Sequence, residues 1–268
     1  MDLYDYCQAV RRTIREVLEE FRSAKIPREY LFDLFPPLRP REFSIASSAL
    51  VSHSNRTHMQ LTKSGYEKNP RRIDLCIAIV RYKTKLKMPR RGVATTYLAS
   101  LQPGLICHLS SLYTTHSSLN HTYIGDRIPI RIKKGLLSLP EDKETHIICI
   151  GPGTGIAPVR SIIQERTIHQ CYSECIAPLL KSFGQCTPPD NTLYQGCRHA
   201  TKDQHYSQEF SALADEGKII YRVAHSRDGP PGVKRTYVQD LILQDSERVW
   251  KLIGEQNAWV YISGYVVA

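Results

Sequence analysis

Gly151-Pro152-Gly153-Thr154-Gly155-Ile156-Ala157-Pro158 follows the apolar run His146 to Ile150 and leads into a segment that reads as a helix beginning near Pro158. Glycines let a backbone approach an anion closely, and a helix N-terminus offers unpaired N–H groups with partial positive charge. Strand, glycine turn and helix in this order therefore make a cradle for the pyrophosphate of a dinucleotide. The spacing departs from G-x-G-x-x-G, because Gly155 stands two positions after Gly153 rather than three, and Pro158 takes the first helical turn, where its missing N–H costs nothing. A plain NAD-binding Rossmann domain is thus the weaker reading. Taken alone, such a turn is also an ordinary connection between elements.

Upstream, Pro40-Arg41-Glu42-Phe43-Ser44-Ile45-Ala46-Ser47-Ser48 alternates like a strand, with Arg41 and Phe43 on one face and Ser44 on the other. A flavin ring needs a flat aromatic surface, its diphosphate a guanidinium, and its reactive nitrogen a hydrogen-bond partner. All three side-chain types are here. The bland reading is a surface strand with one core Phe. A third piece, Arg91-Gly92-Val93-Ala94-Thr95-Thr96-Tyr97-Leu98, predicts a helix running from just after Gly92 to about Leu101, whose small first residues suit a phosphate. By itself it is a turn and a helix.

The order of these motifs resembles the FAD and NADPH half of the diflavin reductases, whose flavin and nucleotide domains are shared with ferredoxin-NADP reductases. Six pieces occur in sequence: Arg41 with Phe43 to Ser48, Gly92 to Thr95, Gly151 to Pro158, Gly196-Cys197-Arg198, Ser226-Arg227, and Tyr237-Val238-Gln239. The run Asp33 to Ser48 is most similar to the diflavin reductases of cytosolic iron-sulfur assembly, with NADPH-haemoprotein reductases next.

The resemblance implies an α/β chain: an incomplete antiparallel FAD-binding barrel with a helical N-terminal segment, then a Rossmann-like NADPH domain. It divides the chain into 1–35 (remnant of a helical connecting segment), 36–140 (barrel) and 141–268 (nucleotide domain). It assigns FAD to Arg41, Glu42, Phe43, Ser44, Tyr82, Gly92, Val93, Ala94 and Thr95, with Tyr82 closing a strand Leu75 to Val80 on the adenine side. NADPH falls to Lys133, Gly153, Thr154, Gly155, Arg198, Ser226, Arg227, Arg235, Thr236, Tyr237, Val238 and Gln239. Ser226, Arg227, Arg235 and Tyr237 would grip the 2′-phosphate, which wants arginines and hydroxyls where an NAD site presents a carboxylate. Without the family, these arginines read as solvated loop charges. In the implied mechanism hydride passes from NADPH to FAD stacked on Phe43, with Ser44 as the catalytic hydrogen-bond partner. Electrons then leave singly to an FMN-binding flavodoxin-like domain and on to an iron-sulfur acceptor protein.

Departures from the family pattern set a rival expectation. Asp2 to Cys7 resembles the end of the connecting segment, so an FMN domain and the first barrel strands are expected to be absent. Trp259 to Gly264 begins a strand and turn that relatives continue into a helix and a flavin-covering aromatic, whereas this sequence ends at Ala268. A noncatalytic truncated fragment is therefore the alternative. Ser263 stands where many relatives have cysteine, and Lys133 where arginine is common, which loses a bidentate grip.

Between Arg166 and Leu193, Cys171, Cys175, Cys186 and His169 raise the question of zinc. Paired C-x-x-C ligands are lacking, so no metal is expected and the stretch reads as a loop insertion with free thiols. At 268 residues the chain has room for two domains, with a linker at Leu139 to Glu144. Eight cysteines without disulfide-like spacing, no signal peptide and no long apolar run indicate a cytoplasmic protein without membrane contact.

The net charge of +10 concentrates in Arg71-Arg72, Arg81 to Lys87 and Pro89-Arg90-Arg91. No nucleic-acid module accompanies these clusters, so nucleic acid is not an expected partner. A basic face flanking Gly92 to Thr95 suits docking of an acidic flavodoxin-like or iron-sulfur partner, with Arg90 and Arg91 at its centre.

Overall fold

The computed structural model describes residues 2–35, 37–48, 73–85, 87–102, 105–107, 122–124, 126, 128–176, 190–229 and 235–264. Arg71-Arg72, Cys186, Pro230 to Gly232 and Tyr265 to Ala268 lie outside these. The chain divides into two compact units, one of Met1–Glu42 with Ile77–Lys133, the other of Phe43–Cys76 with Lys134–Ala268.

The first unit begins with a π-helical turn, Tyr4–Gln8, and then helix α1, Ile14–Glu20. The helical connecting segment expected within 1–35 is interrupted, because Arg11 adopts φ 54° and Thr13 is extended. Thr13 and Glu16 form a capping box: Glu16 N–H donates to Thr13 Oγ1 at 3.2 Å and Thr13 N–H to Glu16 Oε2 at 2.8 Å. That box restarts the helix by satisfying two of its orphan donors. After a 3-10 turn Arg28–Tyr30 and a short α2, Leu31–Leu34, strands β1 (Arg81–Lys83) and β2 (Pro89–Arg91) pair antiparallel with Tyr82 opposite Arg90. Helix α3, Val93–Ser100, follows at once, and β3 (Leu105–Cys107) pairs antiparallel with β4 (Thr122–Ile124).

Two expected strands are shorter than their sequence pattern. Arg41 to Ile45 makes one bridge, Ile45 opposite Leu75, reinforced by Ala46 N–H donating to Asp74 O at 2.7 Å. Leu75 to Val80 contributes only that bridge, and strand pairing starts at Arg81. Val80 gives its N–H to Thr95 Oγ1 at 3.1 Å and its carbonyl to Gly92 N–H at 2.9 Å, so local turn chemistry has taken both ladder groups.

The second unit is built on a parallel sheet in the order β7-β6-β5-β8: β5 Ile147–Pro152, β6 Asn191–Cys197, β7 Ile220–His225 and β8 Trp259–Ile262. Ile147, Ile148 and Cys149 are at most 2% exposed, a continuous apolar run as expected of a parallel strand covered on both faces. Ile147 and Cys149 pack with Ile156, Val159, Ile163 and Phe210, which belong to helices α4 (Ile156–Ile176) and α5 (Ser207–Asp215). Ile148 faces the opposite layer with Val238, Leu241 and Leu252, from α6 (Val238–Gln244) and from the π-helical turn Lys251–Glu255 that follows α7, Ser246–Trp250. Each such fully buried aliphatic side chain contributes roughly 1.5–3 kcal/mol. The buried Tyr194 hydroxyl donates to Asp245 Oδ2 at 2.8 Å and accepts from Arg248 at 3.1 Å, tying β6 to the end of α6 and to α7.

The stretch expected as a loop insertion is in part helical, since α4 continues to Ile176 and carries His169, Cys171 and Cys175. Among the described residues no group of three His, Cys, Asp or Glu forms a metal-binding cluster, and no helix is long and apolar enough to cross a membrane.

Candidate functional site

The glycine turn lies where β5 ends. Gly153–Gly155 forms one 3-10 turn and α4 begins at Ile156, two residues before the position read from sequence. Its glycines have different duties. A Cβ on Gly155 would stand 1.9 Å from Ser263 O and 2.5 Å from Ser263 C, so this residue is the seat for the end of β8. Gly151 approaches Ile156 Cα within 3.1 Å of a would-be Cβ, which keeps strand and helix close. Gly153, at φ +57°, has open space beside it, and Thr154 is exposed. Gly153 and Thr154 are therefore the face a ligand can reach.

Because all four strands are parallel, their carboxyl ends bring the other candidate residues to the same edge. Arg198 follows β6, Ser226 and Arg227 follow β7, and Ser263 follows β8. Pairing continues beyond the strands, with Ser226 N–H to Cys197 O at 3.0 Å, Arg227 N–H to Arg198 O at 2.9 Å and Ser263 N–H to Ile150 O at 3.0 Å. The sheet order reverses at β5, with β6 and β7 on one side and β8 on the other, and such a switch point opens a crevice in a parallel sheet. Gly196 would meet Val238 Cγ2 at 2.9 Å and Pro152 Cβ at 3.2 Å, so the start of α6 packs down onto this edge. Tyr237 is the N-cap of α6, its N–H donating to Asp240 at 2.8 Å; Arg235, Tyr237 and Gln239 are exposed and Val238 is buried. Thr236 is half-buried beside them.

Two acidic residues unnoticed in the sequence hold this edge in shape. Asp203 accepts from Arg198 Nε at 3.0 Å, Arg198 N–H at 3.1 Å and His199 N–H at 2.7 Å. Asp228 accepts Ala200 N–H at 2.6 Å and meets His199 Nδ1 at 2.7 Å. Burial pushes the Asp203 carboxyl up but is outweighed by the His199 N–H and the Arg198 guanidinium and N–H, which bring it from 3.8 to about 2. A depressed carboxylate stabilises above its ordinary value and loses that contribution as pH falls through the folded one. The Arg198 and His199 amide resonances are accordingly expected to shift on acidification from pH 3.8 to about 2. Asp203→Asn should abolish that transition, and an identical acid transition in the variant would refute the assignment. The signal in sequence was an Asp five places after Arg198, too common a pattern to single out.

On the flavin side, α3 opens without a side-chain cap. The first intrahelical bond is Thr96 N–H to Gly92 O at 2.9 Å, so the N–H groups of Val93, Ala94 and Thr95 precede it. Gly92 is obligatory, since a Cβ there would lie 2.6 Å from Thr95 Oγ1 and 2.8 Å from Val80 Cβ. Thr96 Oγ1 is buried with no hydrogen-bond partner among the described residues. An orphaned hydroxyl on a helix that opens without a side-chain cap fits a phosphate group, which adds Thr96 to the candidates named from sequence.

Tyr82 lies under the Arg11 guanidinium, 5.0 Å from its ring centroid. Arg41 Nη1 donates to Arg39 O at 2.8 Å, and Lys133 pairs with Glu42. Arg41, Glu42 and Lys133 belong to the first unit; half-buried Phe43 and exposed Ser44 belong to the second. Lys133 is thus not brought to the sheet edge with the other nucleotide candidates within one unit. Arg90 also departs from expectation. Its guanidinium donates to Glu16 at 2.6 Å and to Arg11 O at 3.1 Å, and with the Thr13 N–H it holds the Glu16 carboxyl down at about 2. Arg90 braces α1 against β2 and is not a free docking charge; Arg91 is exposed.

The family model described as an FAD binding domain matches residues 2–97, and that of the oxidoreductase NAD-binding domain matches residues 149–267. Proteins named NADPH-dependent diflavin oxidoreductase 1 are similar along 98% of the chain: 37% identical over 265 residues in Xenopus laevis, 36% in Dictyostelium discoideum and 34% in Mus musculus. The chain spans 35% of the length of each of these relatives.

Proposed function

We propose that this chain, which belongs to the oxidoreductases pairing an FAD-binding domain with an NAD-binding domain, is the NADPH-oxidising half of a cytoplasmic diflavin reductase. The observation that carries this reading is the gathering of Gly153, Thr154, Arg198, Ser226 and Arg227 at the carboxyl edge of one parallel sheet, beside its switch point. In this reading residues 1–35, 36–140 and 141–268 act as connecting segment, flavin domain and nucleotide domain.

When bound, FAD supplies the chemistry of accepting a hydride and releasing electrons one at a time. The chain's residues do the holding. Phe43 offers a flat apolar face and Ser44 a hydroxyl, while Arg41, the N–H groups of Val93, Ala94 and Thr95, and the Thr96 hydroxyl receive a diphosphate. Gly153 and Thr154 admit the pyrophosphate of NADPH, and Arg227 and Arg235 with Ser226 and Tyr237 meet its 2′-phosphate. The exposed basic residues Arg81, Lys83 and Arg91 would steer an acidic partner, an FMN domain or an iron-sulfur acceptor protein, that takes the electrons onward. Reduced cysteines such as Cys7, Cys76, Cys149 and Cys197 suit a cytoplasmic setting.

The visible spectrum of the protein incubated with FAD and desalted, recorded before and after anaerobic NADPH, tests the reading. Retained flavin, bleached by NADPH and far less by NADH, is expected. A colourless desalted protein would mean that the chain does not hold a flavin, and the reading would fall.

A further inference from the structure

Helix α4 does more than follow the glycine turn. Arg160, one turn into the helix, is only 12% exposed and has three partners in the second unit. Its Nε donates to Glu209 of α5 at 2.7 Å, and its Nη1 to Ala46 O at 2.7 Å and to Asp74 at 3.2 Å. The guanidinium also lies over the Tyr206 ring, 4.4 Å from the centroid. One turn later Gln164 donates to the other Glu209 oxygen at 2.7 Å and accepts Ser48 N–H at 3.0 Å, while the Ser48 hydroxyl donates to Glu165. Ser47 Oγ accepts Asp74 N–H at 3.0 Å, closing the bridged pair of segments upon itself.

We infer that Arg160 is a positioning residue, locking the Phe43–Ser48 segment onto the helix that follows directly from the nucleotide cradle. The bond to Ala46 O fixes the backbone two residues beyond Ser44, and the same helix begins directly after Thr154 and Gly155. One rigid element thereby sets the spacing between the residue assigned to the flavin nitrogen and the residue assigned to the nicotinamide dinucleotide. Arginine is required because a fork must reach a carboxylate on one side and a carbonyl on the other, and an ammonium reaches both only with looser geometry. This inference rests on the proposed function for the roles of Ser44 and Thr154.

Two measurements on the full chain test it. In hydrogen–deuterium exchange without flavin, Arg160→Ala should accelerate exchange in peptides covering 44–48 and leave the β5 and β6 peptides protected. Affinity for 2′,5′-ADP should stay as in the parent, because the fragment's phosphate residues are elsewhere. In the FAD-loaded protein the saturating rate of bleaching by NADPH should fall at least about tenfold, with little change in the half-saturating concentration, since small misplacements cost rate steeply. Arg160→Lys should recover part of both losses, and Asp74→Asn gives a milder version if the alanine variant does not fold. Unchanged exchange at 44–48 would overturn the clamp. Accelerated exchange with an unchanged bleaching rate would overturn its role in positioning. If the parent itself is not bleached by NADPH, the proposed function fails, and the exchange data still decide whether Arg160 holds the segment.

Discussion

Gly155→Ala is expected to lower the melting temperature by about 10 °C and to abolish NADP⁺ binding, because overpacking against rigid neighbours costs roughly 3 kcal/mol or more. The new methyl would lie 1.9 Å from Ser263 O and 2.8 Å from Gly264 Cα, both backbone atoms that cannot rotate away. Only a displacement of β8 from β5 relieves it, and that displacement opens the switch point. Gly153→Ala forms the control. Nothing surrounds its Cβ position, so the penalty is the strain of φ +57° alone, about 1–2 kcal/mol, while its methyl projects where a pyrophosphate would approach. Calorimetric melting and NADP⁺ titration should therefore separate the pair: one variant loses fold and ligand together, the other chiefly the ligand. A Gly155→Ala protein melting within about 2 °C of the parent would contradict the packing role.

The second large effect concerns coenzyme choice. Replacing Arg227 and Arg235 together by alanine should weaken NADPH about a hundredfold or more, since each charge-assisted hydrogen bond to a phosphate is worth about 1.5–3 kcal/mol. NADH, which lacks the 2′-phosphate, should be used as before, so the preference between coenzymes collapses. Steady-state measurement with both coenzymes, at low and high salt, reads this out. Equal losses for NADPH and NADH would show that the arginines maintain the sheet edge rather than bind the phosphate.

The nucleotide unit was legible because its signals are local. The apolar run at Ile147 to Ile150, the glycine turn and the following helix each declare themselves within a few residues, and a parallel arrangement then carries Arg198, Ser226 and Arg227 to one edge without further information. The individual duties of the glycines were not legible. Gly155 is required by Ser263, which lies far along the chain, and no local pattern reports that contact. The same holds for Arg90, whose charge is spoken for by Glu16, and for Arg160, whose partners come from three separate stretches. In the flavin unit the errors ran the other way: local chemistry overrode a good pattern. The Thr13–Glu16 box broke the helical segment that the family resemblance implied, and Thr95 took the Val80 N–H that the implied strand Leu75 to Val80 would have used in a ladder.

The seating of Ser263 upon Gly155 also sets a timetable. The turn at Gly153–Gly155 is made early, but the strand that closes the crevice beside it is the last of the sheet to leave the ribosome. Until residues 259–264 have emerged, β5 has a neighbour on one side only, and the growing polypeptide has no finished place for a coenzyme. The carboxyl edge beside Gly155 is therefore completed only by the last strand of the sheet to be synthesised.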